Sequence, residues 1–143
     1  FMPIYLFSEA TDFSLQNVDS IKNWLSNIIK DYEYSLGDLN YIFCSDQYLH
    51  SLNKQYLNHD TLTDIITFDN SDQDKVINSD IFISIERVQD NALTYSKNFQ
   101  SELQRVLVHG LLHLFGFADK TKSEKEEMRK NEEACLSLLP EIR

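Results

Sequence analysis

Residues 64–84 read Asp64-Ile65-Ile66-Thr67-Phe68, then a polar stretch through Lys75, then Val76-Ile77-Asn78-Ser79-Asp80-Ile81-Phe82-Ile83-Ser84. The first piece is rich in β-branched residues, Asn70 to Lys75 is a polar turn, and Val76 to Ser84 is a second strand. Two such runs across a short polar turn pair as a hairpin. Working outward, Leu39 to Cys44 is another strand and residues 2–7 are an apolar and aromatic first strand. Between these two lies a helix capped by Asp19 or Ser20 and running to about 34, with Ile21, Trp24, Leu25, Ile28 and Ile29 on one face. Strands joined through a helix are placed to run parallel. A parallel pair combined with a hairpin gives one small mixed sheet.

The remaining elements are helical. Gly37 and Asp38 mark the turn out of the first helix, and Ser45 caps a second in which Tyr48, Leu49, Leu52 and Tyr56 share a face. Asn58 to Thr63 is a polar loop, a short helix fits 86–96, and Ser101 caps a longer helix through Leu114 that Gly116 ends. Ser123 with Glu126 spells a capping box for a last helix that mixes Lys and Glu, with Pro140 after its end. The order β-α-β-α-β-β-α-α-α reads as α+β: a single domain over 1–143, a mixed sheet of about four strands, and helices packed on it. Phe1, ahead of Met2, reads as a leftover of expression.

Composition bounds the function. The 143 residues carry 13 basic and 23 acidic side chains, a net charge of −10, with only 3 Gly and 2 Pro. This size suits one domain that buries roughly 70% of its unfolded surface. The acidity excludes a partner held by bulk electrostatics, such as duplex DNA or an anionic membrane. The charge is unevenly spread, however. Residues 1–96 hold 5 basic and 15 acidic side chains, whereas residues 97–143 hold 8 of each. No apolar run approaches the ~20 residues that span a bilayer, and the N-terminus lacks a signal-peptide pattern. Cys44 and Cys135 lie far apart and read as buried, reduced thiols of a cytoplasmic protein.

The segment that carries chemistry is His109-Gly110-Leu111-Leu112-His113-Leu114-Phe115-Gly116-Phe117-Ala118-Asp119. His109 and His113, at i,i+4 on a helix, stack on one face within reach of one metal ion. Once Gly116 ends the helix, the chain can fold back to offer Asp119 as a third ligand. Two imidazoles and a carboxylate form a catalytic zinc set that leaves a fourth position for water, which becomes the nucleophile. The alternative for such histidines is a satisfied place in the core. The spacing also resembles the metzincin protease signature, but the position of that family's general base is Gly110.

A closer resemblance covers roughly residues 40–120. Leu52-Asn53-Lys54-Gln55-Tyr56 with Asp60-Thr61-Leu62-Thr63-Asp64-Ile65-Ile66-Thr67-Phe68, and then Ser79 to Ser84, resemble motifs of the YbeY family in that family's order, and His109 to Gly116 matches its last motif residue by residue. The chain resembles these metal-dependent endoribonucleases of 16S ribosomal RNA maturation and ribosome quality control. The resemblance implies a hydrolase with one zinc ion, a single-stranded RNA substrate such as a 16S rRNA precursor, a ribosome or ribosomal-protein partner, and no membrane. Two departures matter. Asp119 stands where the family has its third histidine ligand, and Leu57 stands where it has an arginine. The carboxylate lowers the net charge of the site, weakens the ion as a Lewis acid and favours harder ions slightly. His59 is the alternative third ligand, with Asp119 then acting behind the ligands.

Other candidates surround this core. Arg105, one turn before His109, is a catalytic candidate for holding the scissile phosphate, or else a surface partner of Glu102. Thr63 and Asp64 are substrate-binding candidates, with Thr67 beside them. Asp80 is expected to bond to backbone, and His50 to face solvent. Lys120, Lys122, Lys125, Arg129 and Lys130 form a basic cluster interleaved with glutamates, a solvated helix that could touch an RNA backbone. A ribosome-associated assembly factor with a structural metal is the competing reading, and it calls for a fourth protein ligand.

Overall fold

The computed structural model describes residues 3–58 and 63–139. Its elements are β1 (Ile4–Ser8), α1 (Val18–Asp31), β2 (Ser35–Cys44), α2 (Asp46–Leu57), β3 (Ile65–Asp69), β4 (Val76–Ser84), α3 (Ile85–Thr94), α4 (Phe99–Leu114) and α5 (Lys122–Leu136). The strands form one sheet in the order β1-β2-β4-β3. β1 and β2 are parallel, β2 and β4 are parallel, and β3 runs antiparallel to β4 with Ile66 opposite Phe82. The expected α+β class and mixed four-stranded sheet are present, as are the hairpin and the parallel first pair.

Side chains alternate between the two sheet faces, and the core follows that alternation. Leu39, Tyr41, Phe43, Ile81 and Ile83 join the main core with Trp24 and Ile28 of α1 and Leu103, Leu107 and Leu111 of α4. Residues of the opposite parity, Cys44, Ile66 and Phe82, form a smaller cluster with Leu49 and Tyr48 of α2. Buried polar groups tie the layers together. The Tyr41 hydroxyl donates to the Leu107 carbonyl at 2.8 Å, and the Trp24 indole donates to the Cys135 carbonyl at 2.9 Å, joining α1 to α5. Both cysteines are buried and free. Burial and then the nearby Asp46 carboxylate push the Cys44 thiol up to about 12, and burial raises Cys135, so both stay protonated at neutral pH.

Several boundaries differ from the sequence reading, each for a local reason. α1 starts after Asn17, which adopts the left-handed conformation (φ 57°) and makes no side-chain cap, so neither Asp19 nor Ser20 is the cap. Gly37 and Asp38 lie inside β2, next to a register shift between Leu36 and Leu39. There the Asn78 side-chain oxygen accepts from the Asp38 N–H at 2.8 Å, and a Cβ on Gly37 would fall 2.2 Å from that oxygen. The glycine therefore admits a side chain to the ladder and does not make a turn. α4 is capped by Asn98, whose side chain accepts from Ser101 N–H at 2.7 Å. The capping box of α5 is Thr121 with Glu124, the same pattern two residues before Ser123 and Glu126. Pro140 lies outside the described residues. No helix among the described residues is long and apolar enough to cross a membrane.

Candidate metal centre

α4 is covered on most sides. Leu103, Val106, Leu107, Val108, Gly110, Leu111 and Leu112 are all buried. Arg105, His109 and His113, four residues apart, form the stripe that remains, so their polar ends share one face. Gly110 faces the sheet, where an added Cβ would lie 2.9 Å from Ile65 Cδ1 and 3.2 Å from Ile81 Cδ1. A glutamate at that position would point into the core, so the metzincin arrangement has no place here.

The C-terminus of α4 explains how Asp119 returns. Gly116 takes φ 99°, a conformation that glycine adopts without penalty. Phe117 N–H donates to the Leu112 carbonyl at 3.0 Å and Gly116 N–H to the His113 carbonyl at 3.0 Å. These two bonds are a Schellman turn, which reverses the chain over the helix end. Phe115 stacks on Tyr32 at 4.9 Å and Phe117 meets the same ring edge-on at 6.0 Å, so the reversed segment is held against the core.

Three atoms then converge. His109 Nε2 and His113 Nε2 are 3.0 Å apart, and Asp119 Oδ2 lies 3.3 Å from the first and 3.2 Å from the second. Their opposite ring nitrogens face groups that only accept. His113 Nδ1–H donates to the Phe117 carbonyl at 3.0 Å, and His109 Nδ1–H donates to Glu132 Oε2 at 2.6 Å. With the protons placed on Nδ1, two Nε2 lone pairs and a carboxylate oxygen point at one another. That donor set repels itself unless a cation lies among its members. Tetrahedral donors at ordinary zinc distances stand about 3.3 Å apart, which the three separations match. The residues present therefore fit a divalent ion. Among the described residues, no fourth His, Cys, Asp or Glu joins this group.

Behind the centre lies an ionic network on buried carboxylates. Arg105 Nη1 bonds to Glu132 at 3.2 Å, and its Nε and Nη2 form a fork on Glu102 at 3.0 and 2.8 Å. The Glu102 side chain is 2% exposed and that of Glu132 8%. Burial works to lower the Arg105 guanidinium, but its hydrogen bond to Glu102 and the charges of Glu132, Glu102 and Asp64 override it and raise its pKa. Arg105 thus meets the Glu102 partner that the sequence allowed, and it reaches His109 through Glu132. Sequence reasoning missed Glu132 by taking α5 as a solvated helix. The signal was available, because Met128, Glu132 and Cys135 recur on the buried face of that helix.

The other candidates are distributed around this centre. Asp64 lies 3.9 Å from Arg105 and accepts from Asn91, so it joins the ionic network and not the ligand group. The Thr63 hydroxyl donates to the Ile65 carbonyl. Asp80 accepts from the side chains of Asn40 and Asn70, where a backbone partner was expected. His50 is half-buried, and Leu57, where the family has arginine, is exposed. His59 lies outside the described residues.

The comparisons with known proteins bear on this geometry. The model of the family described as "Endoribonuclease YbeY" matches residues 7–140. A Cytophaga hutchinsonii protein named Endoribonuclease YbeY is 53% identical over 135 residues, covering 94% of each chain. One of the same name from Flavobacterium johnsoniae is 48% identical over 132 residues, 92% of this chain and 94% of that one. A Thermotoga maritima protein solved in solution superposes with a TM-score of 0.64 at 27% identity, over 94% of this chain and 89% of its own.

Proposed function

The chain belongs to the YbeY endoribonuclease family, and on that premise we propose that it is a metal-dependent, single-strand-specific endoribonuclease of the cytoplasm that acts on precursor 16S rRNA in company with the ribosome or a ribosomal protein. The observation that carries the metal-dependent reading is the convergence of His109 Nε2, His113 Nε2 and Asp119 Oδ2, with both Nδ1 atoms tied back to acceptors. A divalent ion held by these three groups, zinc foremost, would supply Lewis-acid activation of water and of the phosphodiester.

The chain's own residues prepare that site. Glu132 fixes the His109 tautomer and turns its Nε2 lone pair outward, and the Phe117 carbonyl does the same for His113. Arg105 offsets the charge of Glu132 and Glu102, so two buried carboxylates coexist behind the ligands. Asp119, the most exposed of the three at 37%, sits at the mouth of the site, where substrate arrives. Three protein ligands leave a position open for chemistry, whereas a structural site closes with four. Among the described residues the group has three members, the open set that the enzyme reading calls for.

The test is cleavage of a labelled RNA that contains both single-stranded and duplex segments. The expected result is cutting within the single-stranded segments that stops on chelation and returns with one equivalent of zinc. Cutting that persists after the metal is removed would overturn the proposal.

A further inference from the structure

A cleft of about 800 Å³ borders the candidate metal centre, with His109 and Asp119 among its lining residues. Its walls come from α5 and from the junction between α3 and α4. Lys125 and Arg129, at i,i+4 on α5, line one wall, and Tyr95 and Lys97 line the other. All four are exposed. Among the described residues, none of the three cations has an ion-pair partner, in contrast to Arg105. The buried acids of the cleft, Glu102 and Glu132, are already matched by Arg105 and His109. Glu133 is the remaining carboxylate on the α5 wall. A chain of net charge −10 thus presents three unmatched cations at the mouth of its catalytic candidate.

We propose that this cleft is the track for the RNA strand on one side of the scissile bond, with Lys97, Lys125 and Arg129 binding successive phosphates and Tyr95 stacking on a base. The inference rests on the endoribonuclease reading and gives that site its substrate-binding wall. Cations along a groove with an aromatic ring among them are how single strands are bound without regard to sequence. Acidic surface elsewhere repels a polyanion and so confines binding to this cleft. The basic cluster in the sequence is thereby divided. Lys125 and Arg129 line this cleft and Lys120 and Lys122 do not, while Lys130 borders a separate groove with Ser123 and Glu126 that Arg129 also touches.

The test measures binding apart from cleavage. Fluorescence anisotropy of a labelled 12-nucleotide single-stranded RNA, with chelator present, gives affinity as a function of salt. Each phosphate contact contributes about 0.7 to the log–log salt slope for a single strand. The Lys97→Ala, Lys125→Ala, Arg129→Ala triple variant should therefore lose about 2 units of slope. A Lys22→Ala, Lys30→Ala control on α1 should keep the wild-type slope. Tyr95→Ala should weaken binding about tenfold with the slope unchanged, since it removes stacking and no charge. With metal restored, the triple variant should show a raised KM for RNA. A triple variant with wild-type slope and affinity overturns the cleft assignment. Failure of the wild type to cut RNA overturns the endoribonuclease reading instead, and the salt slope still decides the cleft.

Discussion

Removing Glu132 separates ligand positioning from ligation. The His109 Nδ1–H···Glu132 bond is 2.6 Å long, and the carboxylate is 8% exposed and shared with Arg105. In Glu132→Ala the imidazole loses the acceptor that fixes its tautomer, and Nε2 becomes free to carry the proton that blocks coordination. Loss of such a partner lowers metal affinity by about 10- to 100-fold, or about 1.4–2.7 kcal/mol. A half-covered N–H left without a partner costs a further 1–3 kcal/mol of stability, roughly. Glu132→Gln keeps an acceptor oxygen but not the charge, so its affinity should fall between those of wild type and Glu132→Ala. Competition with a chromophoric chelator reads zinc affinity directly, and the imidazole nitrogen shifts in NMR spectra read the tautomer. Wild-type affinity in Glu132→Ala, with the His109 proton still on Nδ1, would refute the reasoning.

Three further outcomes follow from the same geometry. Gly116→Ala forces a side chain into the left-handed conformation at φ 99°, costing about 1–2 kcal/mol. Because the turn carries both Phe117 and Asp119, zinc affinity should fall together with the melting temperature. Gly110→Ala brings a Cβ to 2.9 Å from Ile65 Cδ1. Overpacking of about 1–3 kcal/mol outweighs the helix-propensity gain of up to about 1, so thermal unfolding should show a net loss near 1 kcal/mol. Glu124 is held below its ordinary value of 4.5, first by the backbone hydrogen bond from Thr121. A depressed carboxylate contributes stability above its unfolded value, and that stability is lost as pH falls through the folded one. The melting-temperature gap between wild type and Glu124→Gln should therefore be full above about pH 5 and close below pH 4.5.

Much of the fold was legible because periodicity and connection length carry it. The hairpin of residues 64–84 and the strand-helix-strand unit before it set strand order and direction. Gly37 misled because a glycine marks a turn and a close approach equally well, and only Asn78, forty residues away, decides between them. Helix starts slipped by two or three residues where several Ser, Thr and Asn side chains compete to cap, as at Asn98 and Thr121. The candidate group of His109, His113 and Asp119 lies within eleven residues of one helix and turn, so spacing alone was enough to single it out. Glu132 and the walls of the cleft come from α5 and the α3–α4 junction, whose approach to α4 is a tertiary fact. The apolar spacing of Met128 and Cys135 around Glu132 was the one local hint.

Zinc titration of metal-free protein, with bound metal and RNA cleavage rate read in the same samples, decides whether an ion at His109, His113 and Asp119 drives RNA cleavage. Cleavage should rise in proportion to bound zinc and saturate at one ion per chain, with neither signal in His113→Ala. Full cleavage before any zinc is bound, or saturation only at two or more ions per chain, would contradict this.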